Sequence, residues 1–255
     1  MNNIKIAWMF PDTLYLHGDR GNILALDRLA KMAGLEPEII KIDFDTENFN
    51  PMDYDILVFN PGEITSFPVI IEWLVPHKDS LIEFINEGRV VLATGTSVGI
   101  FTENIIRSDK TEFKGLSIIN ADTKERETVY GDDNYFVCNI NGKDIEVIGN
   151  QIQMADFINK GEQAFGRLKY GFGNTGKDRE EGFAKQNAIF TNTLGPFLVT
   201  NPKVTKELIL IMCENRGYEI KDFPVDMEIE EKSFATKKEF IETKVTRLTN
   251  CKDVK

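Results

Sequence analysis

The chain has 255 residues, 42% of them hydrophobic, and a formal net charge of −11 at pH 7. The length predicts one large or two small domains, and the negative charge argues against nucleic acid or an anionic membrane surface as the main partner. No apolar run is long enough for membrane insertion, no signal-like segment opens the chain and the three cysteines lack metal-like spacing, so we expect a cytoplasmic protein without a metal or cofactor.

Short apolar runs alternate with helical patterns over the first hundred residues. In the segment 21–35 the apolar residues fall on one helical face, and the segment 68–87 predicts a longer helix that Pro76 breaks or kinks. Strands alternating with helices favour an open, mostly parallel α/β sheet with helices on both faces. The strands are predicted at 4–9, 37–42, 55–59 and 89–93.

The loops that follow these strands are expected to gather at one edge of the sheet. In open α/β sheets the ligand crevice lies beyond the carboxyl ends of the strands. The segments 11–20, 61–67 and 94–97 each follow a predicted strand. We therefore expect a ligand cleft where these three loops meet.

The middle of the chain has a different pattern. From 115 to 149, alternating and apolar stretches are separated by polar turns, and Asn141-Gly142 is typical of a hairpin turn. These antiparallel strands are expected to extend the far side of the sheet. A helix is predicted at 202–216, with a proline at its start and a glycine after its end. Residues 1–218 are therefore assigned to one domain.

A charged tail at 219–255 follows this domain and is expected to be partly helical. Within it, Phe234, Ile241, Val245 and Leu248 fall at helical spacing on one face. Such a face docks either on its own fold or on a partner, and docking on its own fold is the commoner outcome.

The segment 89–101 carries the most information about function. It reads Arg-Val-Val-Leu-Ala-Thr-Gly-Thr-Ser-Val-Gly-Ile-Phe, an apolar strand that enters a helix through a tight turn. This is how several α/β enzymes present a nucleophile at the apex of the turn. The apex here is Gly95, which has no side chain.

Four stretches of the chain match a known family in the same order. Through them the chain resembles class I glutamine amidotransferases of the cobyric acid synthase type, and most closely the glutaminase subunits of lipid II isoglutaminyl synthases. The resemblance extends over most of the chain and implies a flavodoxin-like sheet. The stretches are 15–23 (Tyr-Leu-His-Gly-Asp-Arg-Gly-Asn-Ile), 88–101, 170–176 (Tyr-Gly-Phe-Gly-Asn-Thr-Gly) with Glu181-Gly182, and 190–196 (Phe-Thr-Asn-Thr-Leu-Gly-Pro) with Asn201-Pro202.

The resemblance also implies where catalytic residues would stand. The family's cysteine nucleophile falls on Gly95, a downstream glutamine on Gly99 and the catalytic histidine on Leu194. Glutamine hydrolysis of this type needs a thiolate to attack the amide and an imidazole to move the proton. No catalytic residue is therefore assigned, and Gly95 and Leu194 are treated as degenerate positions.

The oxyanion hole implied by the resemblance is altered too. The corresponding turn reads Asn60-Pro-Gly-Glu-Ile64. Pro61 has no N–H to offer a developing oxyanion, whereas Gly62 could contribute one donor.

Hydroxyl groups beside the apex allow two interpretations. Ser97 or Thr96 could act as an oxygen nucleophile with a different base, although a serine two positions past the apex points along the helix start. Alternatively, these two residues and Thr94 cap the following helix. We favour capping, because it accounts for them without a reaction.

The loop Gly18-Asp-Arg-Gly-Asn22 also has two interpretations, which we leave open. Its glycines and Arg20 could receive an anionic ligand or contact a partner. Alternatively, the glycines make a tight loop, Asp19 caps a helix and Arg20 pairs with a local carboxylate. The later glycine-rich loop at 171–176 is expected to be a cluster of turns.

The histidines and cysteines offer no replacement for the missing groups. His17 and His77 both lie far from Leu194 in the sequence. Cys138 and Cys213 are expected to pack in the interior. Cys251 is expected to be exposed in the tail.

We therefore expect an amidotransferase-like protein that has lost glutaminase activity and serves as a binding, regulatory or partner subunit. The resemblance implies a Mur-ligase-like synthetase as the partner and a role related to peptidoglycan. One alternative is an active amidotransferase or hydrolase that supplies ammonia to such a synthetase. Another is a small-molecule sensor whose vacated cleft binds a small acid or amide. The candidate cleft residues are Asp19, Arg20, Gly62, Gly95, Thr96 and Ser97.

Overall fold

A computed structural model describes residues 2–220, 223 and 225–252, with side chains described as far as Lys244. Its first sheet has the strand order β11-β12-β4-β3-β1-β2, and every neighbouring pair is parallel except β11 with β12. The prediction of an open, mostly parallel α/β sheet is therefore confirmed. The strands are β1 Asn3–Met9, β2 Glu36–Ile42, β3 Ile56–Phe59, β4 Val90–Thr94, β11 Phe183–Lys185 and β12 Ala188–Thr191.

Helices cover both faces of this sheet. Successive strand residues point to opposite faces, so Ile56 packs in the same cluster as α1 (Gly21–Met32) and α5 (Pro202–Asn215), whereas Leu57 packs with α2 and α3 on the other side. The helix predicted at 68–87 is divided into α2 (Phe67–Leu74), a 3₁₀ turn (Val75–His77) and α3 (Lys78–Asn86). Pro76 lies in that turn, as expected for a residue that interrupts a helix.

The middle of the chain forms a second sheet instead of extending the first. Its order is β10-β9-β7-β5-β6, with β8 paired to β7 in a long antiparallel hairpin. The predicted turn is present, since Asn141 and Gly142 have φ angles of +52° and +73°. The expected extension is wrong because the apolar face of this hairpin packs against the interior, where Phe136 and Val147 share a cluster with α5. The strands are β5 Asn104–Ile106, β6 Glu112–Lys114, β7 Ala121–Ile140, β8 Lys143–Asn159, β9 Gly166–Tyr170 and β10 Glu180–Glu181.

A seam of polar contacts joins the free edge of β8 to the first layer. Asn201, just before α5, accepts a hydrogen bond from the Ile148 N–H at 2.9 Å and donates to the Ile148 carbonyl at 2.8 Å. The same amide donates to the Phe197 carbonyl, in the short helix α4 (Phe197–Thr200). Two residues along β8, the backbones of Asn150 and Leu194 exchange hydrogen bonds of 3.0 and 2.8 Å. Leu194 is thereby tied to the second sheet.

The last element, α6 (Glu228–Lys252), docks on the second sheet. Ile241 is fully buried in a small cluster with Tyr135 and Ile148, so the expected docking of the tail on its own fold is observed. The side chains of Val245, Leu248 and Cys251 lie outside the described residues. Across the described part of the chain, no helix has the length and apolar character needed to cross a membrane.

Candidate functional site

The turn at the end of β4 has the backbone expected of a nucleophile elbow. Gly95 has a φ of +60°, in the left-handed region that glycine adopts without strain. The helix expected after the turn is a 3₁₀ helix, Gly95–Phe101, and all its residues are buried. The local geometry therefore presents position 95 at the carboxyl end of the sheet.

Three residues that are distant in sequence meet at this apex. A Cβ atom on Gly95 would lie 3.0 Å from Leu194 Cδ2 and 3.1 Å from Pro61 Cβ. Leu194 is only 2% exposed. The positions that the resemblance equates with nucleophile, base and oxyanion turn are thus in contact, and apolar side chains occupy the space directly over the elbow.

The hydroxyl groups of Thr96 and Ser97 are hydrogen-bonded to the backbone, whereas Thr94 Oγ1 is buried without a partner among the described residues. Thr96 Oγ1 donates to the Gly62 carbonyl at 2.6 Å and accepts from the Gly62 N–H at 3.2 Å. Ser97 Oγ lies 2.9 Å from the carbonyl oxygens of Phe59 and Thr94. The expected capping is wrong, because these side chains link the β3 and β4 loops instead of the helix N-terminus. Because the N–H of Gly62 already donates a hydrogen bond to Thr96, it does not serve as a donor at the apex.

Asp19 lies in the loop that leads into α1. Its side chain is fully buried and accepts a hydrogen bond of 3.2 Å from Asn22 Nδ2, while Oδ2 has no partner among the described residues. Burial raises the pKa of Asp19 to about 7, against the opposing effect of hydrogen bonds from Asn22 and the Phe197 backbone. The expected cap is absent, since α1 begins after Arg20 without a side-chain cap.

Arg20 is exposed and makes no ion pair within the described part of the chain. The expected pairing with a local carboxylate is therefore not observed. The structure separates the two candidates of this loop, because Asp19 points into the interior and Arg20 into solvent.

A cavity of about 550 Å³ with both polar and apolar lining residues lies at the mouth of the cleft. It brings together His17, Leu194 and Gly195 with polar groups of β7, β8 and α6. His17 is therefore near Leu194 in space despite its distance in sequence, and desolvation lowers the pKa of its imidazole. No local pattern reveals this approach, because it depends on how the second sheet packs. The polar residues that line the cavity include Asp132, Asp133, Asn150 and Lys244.

The two described cysteines are structural. Cys138 and Cys213 are buried and unpaired, as expected from the sequence. Burial, with smaller effects of nearby carboxylates, raises the pKa of Cys138 to about 12 and that of Cys213 to about 11. The imidazole of His77 packs against the rings of Phe49 and Trp73, with its centroid 5.1 Å from each ring centroid. Among the described residues, no group of His, Cys, Asp and Glu side chains is arranged to hold a metal ion.

Glu181 is a second buried carboxyl group near the site. Its oxygens accept hydrogen bonds from the Thr191 and Thr193 hydroxyls and the Asn192 N–H, all between 2.8 and 3.1 Å. Burial raises its pKa to about 7, although these bonds oppose the shift. Glu181 therefore positions the segment that leads into Leu194. In the sequence, the only signal for this role is that Glu181 belongs to one of the stretches that match the family.

The glycine-rich loop at 171–176 follows β9 and is the expected cluster of turns. Gln151 Oε1 accepts from the N–H groups of Phe172 and Gly173 at 2.8 and 3.0 Å. Asn174 exchanges hydrogen bonds with Gly182. The loop therefore supports the strand of Glu181 and opens no helix.

Because of the contact above the elbow, we expect the effects on stability of substitutions at Gly95 and Leu194 to be coupled. Gly95→Ala should cost about 1–3 kcal/mol of stability, because alanine is strained at positive φ and its Cβ meets Leu194 and Pro61. In a Leu194→Ala background the Leu194 contact is gone, so the cost should fall by about 0.5 kcal/mol or more. Urea unfolding of the two single variants and the double variant measures this. Additivity within about 0.3 kcal/mol would contradict the contact.

The chain has an open, mostly parallel α/β sheet with a sharp turn at Gly95, at the carboxyl end of β4. A solved structure with the same fold is PurLQS from Thermotoga maritima, with a TM-score of 0.52 and 10% sequence identity over 84% of this chain and 99% of that one. No protein-family model matches the chain.

Two curated relatives are more specific. The chain is 26% identical over 236 residues to the lipid II isoglutaminyl synthase (glutamine-hydrolyzing) subunit GatD of Staphylococcus aureus (strain N315), covering 90% of this chain and 93% of the relative. It is 22% identical over 223 residues to the subunit of the same name from Streptococcus pneumoniae (strain ATCC BAA-255 / R6), covering 81% of this chain and 79% of the relative. The chain is therefore a homologue of GatD subunits.

Proposed function

We propose that this protein is a glutamine amidotransferase-like subunit without glutaminase activity, which acts through binding to a partner. The observation that carries the proposal is the contact of Gly95 with Leu194 and Pro61. A thiol, an imidazole and an oxyanion donor would have to meet at that point for amide hydrolysis. The chain has instead a hydrogen atom, an isobutyl group and a proline ring there.

Other groups of the chain support the same proposal. The buried thiols of Cys138 and Cys213 have raised pKa values, which disfavours the thiolate that attacks an amide. The hydroxyls of Thr96 and Ser97 are held by backbone groups of their own layer. His17 is near enough to border the same cavity as Leu194, but no nucleophile of the elbow accompanies it.

The partner in this proposal is a synthetase-like subunit. Both relatives are named as subunits of lipid II isoglutaminyl synthase, and the sequence resemblance implies a Mur-ligase-like partner. We propose a cytoplasmic complex related to peptidoglycan, in which residues 1–218 form the amidotransferase-like domain and 219–255 its tail. Fold and chemistry separate readily, so a homologue can keep the partner after losing the reaction.

Glutamate release from glutamine tests the proposal directly. The wild-type protein, alone and with a co-expressed Mur-ligase-like subunit, should release no more glutamate than a sample without protein. A Gly95→Cys, Leu194→His double variant restores the two side chains that the family uses and should raise the rate above that baseline. The matched controls are the two single variants, each of which lacks one member of the pair.

If the wild-type protein sustained turnover and released glutamate in molar excess over enzyme, the proposal would be overturned in favour of an active subunit. In that case the nucleophile lies outside the elbow. A silent wild type with an active double variant would support both the loss of activity and the equivalence of positions 95 and 194.

The cavity at the cleft mouth favours a second candidate, a small-molecule sensor. Its volume of about 550 Å³ suits a small acid or amide, and the charged residues Asp132, Asp133 and Lys244 line part of it. Side chains fill the space directly over Gly95, and the 3₁₀ helix that follows is short. We therefore expect such a ligand to bind in the cavity beside Leu194. Thermal stabilisation by glutamine, glutamate or a related amide, lost in a Gly195→Leu variant but kept in Gly34→Ala at a distant turn, would support this candidate.

A further inference from the structure

In the part of α6 whose side chains are described, few apolar groups contact the second sheet. Ile241 is the fully buried side chain of the described part of α6, and it packs against Tyr135 of β7 and Ile148 of β8. Phe234 and Tyr170 are partly buried at the edge of the same cluster. Within the part of α6 whose side chains are described, as far as Lys244, the apolar interface is one aliphatic anchor with two flanking aromatic rings.

Opposite charges surround this anchor. Lys237 pairs with Asp133, Lys244 with Asp132 at 2.7 Å and also with Asp133, and Lys238 with Glu146 at 2.6 Å. The helix contributes every cation of these pairs and the sheet contributes every anion. Lys238 and Lys244 also lie over the rings of Tyr135 and Tyr170, at 5.6 and 5.7 Å.

The carboxylates of the sheet respond to these lysines. Burial alone would raise the pKa of Glu146, but hydrogen bonds from Lys238, Tyr135 and Lys169 lower it to about 2. Hydrogen bonds from Lys237 and Lys244 likewise lower the pKa of Asp133 against its burial. The three lysines are still 27–33% exposed, so salt screens these pairs.

These contacts define a docking face for α6 on the second sheet. We define it as Asp132, Asp133, Tyr135, Glu146 and Ile148, an aromatic and aliphatic centre beside three carboxylates. It fits an amphipathic helix with one aliphatic anchor, lysines three and four positions before it and a lysine three positions after it. α6 has this pattern at Ile241, Lys237, Lys238 and Lys244.

We propose that this face is an exchangeable docking site for a lysine-bearing amphipathic helix, that α6 occupies it in the free protein, and that a partner helix of the same chemistry replaces α6. The exchange has a consequence for the cleft, since Lys244 lines the cavity that Leu194 and His17 also border. Release of α6 removes that wall of the cavity and exposes Tyr135 and Ile148. This proposal is independent of whether the elbow is catalytically active.

A peptide of residues 228–252 with a fluorescent label is the probe for the docking face. Full-length protein carrying Lys237→Glu and Lys244→Glu keeps the face intact but loosens its own α6. We expect it to bind the peptide at least tenfold more tightly than wild type, in which α6 competes from within the chain. Raising NaCl from about 0.05 to 0.5 M should weaken that binding several-fold.

Two controls separate the docking face from general attraction to an acidic protein. A peptide with Ile241→Asp keeps all three lysines and should bind at least tenfold more weakly. A Lys232→Glu protein changes a lysine that pairs within α6 with Glu228, so it should behave as wild type. Equal binding of both peptides, or no gain in the doubly substituted protein, would overturn the proposal.

Hydrogen exchange of the wild-type protein gives a second measurement that needs no variant. Amides of α6 should exchange at least tenfold faster at 0.5 M than at 0.05 M NaCl, while amides of β3 and β4 remain unchanged. Exchange of α6 at the same rate as β3 and β4 under both conditions would mean that the helix leaves only when the whole protein unfolds. That outcome would also overturn the proposal.

Discussion

Replacement of Asn201 by alanine is expected to destabilise the protein by about 3–5 kcal/mol, because it leaves three buried backbone groups without partners. The amide of Asn201 serves the N–H and carbonyl of Ile148 and the carbonyl of Phe197, with distances of 2.8–2.9 Å. Asn201 is 1% exposed, so water cannot replace it without opening the seam. Urea unfolding followed by circular dichroism measures the loss.

Asn215→Ala is the matched control. Asn215 is exposed and its amide donates a single hydrogen bond, to the carbonyl of Gly88. Its removal should cost less than about 1 kcal/mol. If Asn201→Ala cost no more than Asn215→Ala, the seam between β8 and the first layer would contribute little, and the position of Leu194 would depend on other contacts.

Four of the six strands of the first sheet, β1 to β4, could be predicted from local sequence patterns, whereas β11 and β12 were not predicted. β1, β3 and β4 are short apolar runs separated by helical patterns, and a strand buried on both faces needs little more to be recognised. The second sheet could be predicted only as a set of strands. Its separation from the first depends on contacts such as Asn201 with Ile148, which join residues 53 positions apart.

The candidate site divides in the same way. The sequence resemblance predicted that Gly95, Leu194 and Pro61 lie close together. The sharp turn at Gly95 follows from the local sequence. The hydroxyls of Thr96 and Ser97 could not be assigned locally, because their partners lie on the loop after β3. The same holds for the approach of His17, which depends on the docking of the second sheet.

Between pH 4.5 and 7, the free energy of unfolding of a Glu181→Gln variant is expected to fall less than that of the wild type. The pKa of Glu181 is raised from 4.5 to about 7 by burial. Within that interval the folded protein keeps a proton that the unfolded chain releases, so the free energy of unfolding falls as the pH rises. Glutamine cannot ionise, and the variant should lack a slope of up to about 1.4 kcal/mol per pH unit.

Urea unfolding of both proteins at half-unit steps from pH 4 to 8 measures the difference. The value near pH 4 supplies the internal control, since Glu181 is protonated in both states there and only the change of side chain matters. From that point the variant should gain roughly 2–3 kcal/mol on the wild type by pH 7, and the gain should then level off. Asp19 and the histidines keep their own pH dependence in both proteins and cancel in the comparison.

The shape of this difference distinguishes a neutral carboxyl from an ionised one. A constant difference from pH 4 to 8 would mean that Glu181 is ionised in the folded state, with the donors of Thr191, Asn192 and Thr193 outweighing its burial. A rising difference would mean that a protonated carboxyl positions the strand before Leu194. In that case the site beside the elbow loosens as Glu181 ionises near pH 7, which links the geometry of the cleft to a proton in the physiological range.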